Sequence, residues 1–64
     1  MKEITDVKRM ENGLALYYGG MAAREFVSFN YAELIDMKIN ALDLLENPNY
    51  YGVDVDKRQI ISKK

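Results

Sequence analysis

Ten carboxylates, no histidine and no cysteine bound the chemistry open to this chain. Glu33 and Asp36 invite a catalytic reading, because they fall one turn apart on a helix and glycoside hydrolysis uses paired carboxylates. An exposed helix face produces that spacing as a matter of course, and 64 residues leave little room for a substrate cleft. Asp54-Val55-Asp56 matches the start of a calcium loop. Lys57, Arg58 and Gln59 then stand where a further oxygen ligand and a glycine are required. Ser28 and Ser62 have no histidine to activate them, and no glycine-rich phosphate loop precedes a helix. The expectation is a protein that is not an enzyme, with no metal and no cofactor.

Binding chemistry is better represented. Five tyrosines are many for this length, and tyrosine suits surfaces where one end of the ring is buried and the other wet. Tyr17, Arg24 and Phe26, joined by Arg9, have the composition of an interface hot spot. The same side chains suit a nucleic-acid platform, on which bases stack and arginine meets phosphate. A net charge of −1 and the lack of ribonucleoprotein motif strings place that reading second. Glu33, Asp36 and Asp43 make an acidic stripe that would suit a basic groove on a larger protein.

Those side chains need elements to carry them. The chain is long enough for one domain, residues 1–64, and short enough to be marginal as a monomer. Without cysteine or histidine, the remaining means of support is a second subunit, so a homo-oligomer is expected. The apolar content of 48% is that of a globular chain. No apolar run approaches the ~18 residues of a membrane span, and the polar start, Met-Lys-Glu-Ile-Thr-Asp, is unlike a signal peptide. A cytoplasmic protein without membrane contact is the expectation. The Lys/Ile/Asn/Tyr-rich usage resembles that of small phage or mobile-element accessory proteins.

Two glycine sites punctuate the first half. At Asn12-Gly13, a three-residue loop with Gly13 left-handed sets Met10 opposite Leu14 and Arg9 opposite Ala15, whereas a two-residue loop sets Glu11 opposite Leu14. The first pairs two apolar side chains and is preferred. Gly19-Gly20 closes a second hairpin, with Tyr18 opposite Met21 and Tyr17 opposite Ala22. Alternation then collects Ile4, Met10, Leu14, Leu16, Tyr18, Met21, Ala23, Val27 and Phe29 on one face, with Val7, Arg9, Ala15, Tyr17, Ala22, Arg24 and Phe26 on the other.

After Phe29 the period changes. Asn30 with Glu33 reads as a capping box opening a helix from Tyr31 to Glu46, stopped at Asn47-Pro48. Glu33, Asp36, Asn40 and Asp43 form its polar stripe, and the apolar arc beyond is wider than a small sheet needs. Met37, Ala41 and Leu44 at the edge of that arc fit either a helix–helix dimer contact or a cover from the C-terminal segment. Val53–Ile61 reads as a fourth strand, against which Lys57 and Gln59 on its apolar side count. The expected fold is α+β: a three-stranded antiparallel meander packed by one α-helix, with a short C-terminal fourth strand. The expected function is a small binding protein that modulates or inhibits a host protein, as a homodimer. The alternatives are a nucleic-acid-binding protein and an assembly subunit acting through self-association.

Overall fold

Strand-forming residues occupy both ends of the chain and pair with one another. The structure, a computed structural model, describes residues 1–19 and 25–63. It is a small α+β domain: β1 Lys2–Arg9, β2 Gly13–Tyr18, β3 Glu25–Asn30, α1 Tyr31–Asp36, α2 Ala41–Glu46, β4 Tyr51–Asp54 and β5 Gln59–Ser62. The sheet runs in the order β3-β2-β1-β4-β5, every neighbouring pair antiparallel. Although β3 and β5 are its opposite edges, Arg58, just before β5, donates to the Ser28 carbonyl of β3 at 2.9 Å. The sheet is therefore curled, with its two edges turned toward each other.

The meander forms with different registers from those expected. The Met10 N–H donates to the Gly13 carbonyl, so Glu11-Asn12 is the loop and Arg9 stands opposite Leu14. Gly13 does not have positive φ. It is required because a Cβ there would meet the Phe29 carbonyl oxygen and lie 2.7 Å from the Asn30 Cα, both backbone atoms of β3. Further along, the register of β1 shifts between Ile4, opposite Tyr18, and Asp6, opposite Tyr17. Thr5 is the extra residue of this bulge, and its hydroxyl donates to the Tyr17 carbonyl at 3.1 Å. An extra residue reverses the alternation, so Ile4 and Val7 both turn inward and both are buried. Val7 faces inward because Arg9, two residues on, stands opposite Leu14 rather than Ala15, and the bulge then returns Ile4 to that same side.

The second hairpin has another register from the one expected: Tyr18 stands opposite Glu25 and Tyr17 opposite Phe26, rather than opposite Met21 and Ala22. Gly20, Met21, Ala22, Ala23 and Arg24 lie outside the described residues.

The expected helix is two helices. Lys38 has φ 59°, in the left-handed region. The Lys38 N–H donates to the Ile35 carbonyl at 3.0 Å and the Ile39 N–H to the Leu34 carbonyl at 2.9 Å, the paired bonds of a Schellman ending. Asn40 then starts α2, its Oδ1 accepting the Asp43 N–H at 3.1 Å, as Asn30 does for α1 with Glu33 closing the capping box.

This break re-aims the apolar side chains. Leu44 is 0% exposed, so it is enclosed within the chain and cannot meet a second copy, while Met37 and Ala41 are half-buried against the same core. Ile35 (73% exposed) and Leu42 (62%) face outward instead. The core joins Ile4, Val7, Leu14, Leu16 and Phe29 from the meander to Leu34 and Leu44 from the helices and Tyr51, Val53 and Ile60 from the last hairpin. The expected fourth strand is that hairpin. Asp54 Oδ1 accepts the Lys57 N–H and Arg58 takes φ 55°, so the chain reverses where Lys57 and Gln59 spoiled the alternation. Among the described residues, no helix is long and apolar enough to cross a membrane.

Candidate binding face

The outward side of β1, β2 and β3 carries the aromatic residues singled out from the sequence. The Tyr31 N–H donates to the Asn12 carbonyl at 3.0 Å, which fixes the phase of the β2–β3 ladder. Counting back by twos makes Tyr17 and Phe26 a non-hydrogen-bonded pair, the kind whose side chains stand closest. Their ring centroids are 5.3 Å apart with planes tilted by 33°. Phe26 is nonetheless 54% exposed. Ala15 is 4% exposed on the same side, between its cross-strand neighbours Lys8 and Ser28. Asp6 lies opposite Tyr17. The face therefore offers two rings beside a closed small-residue floor, flanked by one cation and one anion.

Arg9, expected on this face, stands elsewhere. Arg9 pairs with Leu14, which puts it on the inward-facing row at the exposed end of β1, so Lys8 takes the place next to Ala15. Arg24 is not among the described residues. Lys8 was missed because its row depends on the loop length at Glu11-Asn12, which several turn types satisfy.

The acidic residues do not form one stripe. Glu33 sits at the start of α1, where it accepts the Asn30 N–H and pairs with Arg58 Nη2 at 2.9 Å. The Asn30 backbone bond first, and then the Arg58 guanidinium, hold its carboxyl below the usual carboxylate range. Arg58 also lies over the Phe29 ring, 4.7 Å from its centroid. A depression of about 220 Å³ beside this pair is lined by Met10, Asn12, Asn30 and Phe29. Glu33 and Arg58 satisfy each other there, beside Ser28, whose carbonyl also accepts from Arg58. Arg58 carried no local signal in the sequence, because its partners are supplied by the curl of the sheet.

Asp43 is turned the other way, toward the Tyr51 hydroxyl and the Asn47 side-chain amide. The bond to Asp43, reinforced by burial and by the nearby negative charge, pushes the Tyr51 phenol up to about 12. Asp36, at the end of α1, is exposed. Among the described residues, no group of three acidic side chains gathers around a point that would hold a cation. Comparison with protein-family models, with curated proteins and with solved structures gives no match.

Proposed function

We propose that the protein is a small, non-enzymatic binding module of the cytoplasm, which uses the outward face of β1, β2 and β3 to engage and modulate a larger protein. The observation that carries this reading is the Tyr17–Phe26 pair, which packs closely yet leaves Phe26 mostly in water. Such a pair is already ordered, so binding loses little side-chain entropy. Aromatic residues of this kind anchor protein interfaces. One cation and one anion at the margin suit a partner surface of mixed charge better than a polyanion. The role of an accessory protein that inhibits or redirects a host protein agrees with the chain's size and composition.

A second reading is favoured by the arrangement of the strands. A curled five-stranded sheet with aromatic residues on the outer faces of β2 and β3 resembles the partly open barrels that bind oligonucleotides on that face. The acidic composition, with a sequence pI of about 5.2, weighs against it.

The test is capture from a host lysate by immobilised wild-type chain and by its folded Phe26→Ala variant, with bound material identified by mass spectrometry and nucleic-acid staining. A protein retained by the wild type and lost by the variant, with little response to salt, is the expected result. Capture unaffected by Phe26→Ala contradicts the assignment. Recovered nucleic acid with steep salt dependence favours the second reading.

A further inference from the structure

We propose that the free edge of β3 pairs with the β3 edge of a second copy of this chain, antiparallel about a two-fold axis at Phe26. This rests on the reading of the Tyr17–Phe26 face as a binding surface and extends that surface across the axis.

β3 ends the strand order, so among the described residues one side of its backbone has no neighbour within the sheet. The ladder phase fixed by Tyr31 and Asn12 aims the N–H and C=O groups of Phe26, Ser28 and Asn30 at that free side. Part of the edge is already closed. Arg58 Nη2 donates to the Ser28 carbonyl at 2.9 Å, and the Asn30 N–H donates to Glu33 Oε1 at 3.1 Å. These contacts guard the C-terminal half of β3, as edge strands commonly require. Among the described residues, no side chain bonds to the Phe26 N–H, the Phe26 C=O or the Ser28 N–H. The unguarded groups are thus one donor and one acceptor on a single residue, flanked by a further donor.

That pattern is complementary to itself. In an antiparallel sheet, a hydrogen-bonded pair exchanges two N–H···O bonds, so Phe26 opposite the second copy's Phe26 satisfies both donors and both acceptors at once. A two-fold axis brings the same patch from each chain, as closed dimers do. The register also matches the side chains. The two exposed Phe26 rings meet on the outward face, and the pairs continue into one row of four rings with Tyr17 at each end. Glu25 falls opposite Val27 of the other copy, so no like charges oppose one another. The guards at Ser28 and Asn30 remain in place, which limits the contact to the start of the strand and closes the assembly at two. The enlarged face is available only in the dimer.

The experiment uses the full chain, prepared by total synthesis with and without an N-methyl group on the Phe26 backbone nitrogen. Sedimentation equilibrium should show a wild-type dimer, while the N-methyl chain, with unchanged circular dichroism, should associate on the order of a hundredfold more weakly. The paired substitution Ile35→Lys with Leu42→Lys, which alters the exposed helix residues, should leave the dimer intact. Exchange of the Phe26 amide in the wild type should slow as concentration rises, and this decides the matter if the N-methyl chain fails to fold. A wild-type monomer throughout, a dimer unaffected by N-methylation, or one abolished by the helix substitutions would overturn the pairing. A monomer whose Phe26→Ala variant still loses its captured protein would overturn this inference and leave the binding reading standing.

Discussion

Replacing Lys38 with glycine has opposite expected signs for a broken and an unbroken helix. Lys38 is at φ 59° in the ending of α1, with both bonds of that ending in place. A left-handed residue with a side chain costs roughly 1–2 kcal/mol relative to glycine, and glycine forfeits about 0.4–1 kcal/mol through the greater freedom of the unfolded chain. The net gain is about 0.5–1 kcal/mol. The Lys38 side chain is exposed, so its removal subtracts little. For a domain of this size, the gain should raise the melting midpoint by roughly 2–8 °C. Had Tyr31–Glu46 been one continuous helix, the same change would lower stability by roughly 0.5–1 kcal/mol, the cost of glycine in a helix interior. Urea denaturation followed by circular dichroism measures the difference. A Lys38→Gly chain less stable than wild type would refute the two-helix account.

Leu44→Ala should destabilise by about 2–5 kcal/mol in urea denaturation, because it leaves a cavity in the core. Leu44→Glu should unfold the chain rather than release a folded subunit, as sedimentation with circular dichroism would show. Tyr51 holds its proton in the folded state to about pH 12, above the ordinary ~10 of the unfolded chain. The stability linked to it is therefore complete below the unfolded value and lost as pH rises through the folded one. Alkaline titration of phenolate absorbance should show a late component that is absent in Tyr51→Phe. Glu33 is displaced in the opposite sense, so its contribution is present above the ordinary carboxylate range and lost as pH falls through its lowered value. Glu33→Gln should flatten the acid limb of the stability profile.

The class of fold was legible because alternation in Leu14–Tyr18 and Glu25–Asn30 and the capping box at Asn30 are local signals. What failed depended on distant partners. Asn12-Gly13 looked like a left-handed turn, yet Gly13 answers to the backbone of β3, which no local window contains. The bulge at Thr5 returns Ile4 to the inward side beside Val7, and a bulge leaves the composition of a strand unchanged. The second cap was readable in principle, since Asn40 precedes Asp43 as Asn30 precedes Glu33. The wide apolar arc hid it by making the whole segment resemble one helix. Tyr17 and Phe26 were placed on one face because β2 and β3 are regular and any even shift of register keeps their sides. Arg9 was misplaced because one residue of loop length reverses a row. Arg58 depended on the curl of the sheet, for which its own neighbours give no sign.

The most direct test of the binding face compares the thermal midpoints of Tyr17→Ala and Leu16→Ala, measured at equal concentration. These residues are adjacent on β2 and turned to opposite sides. Leu16 is fully buried, so its truncation should cost about 3 kcal/mol or more, a large part of the stability of so small a domain. Tyr17 is half-buried with its ring against Phe26, so its truncation should cost about 1 kcal/mol and leave a folded chain with impaired capture. A Tyr17→Ala midpoint depressed as far as that of Leu16→Ala would mean that the outward face is needed for folding, and would contradict its assignment to recognition.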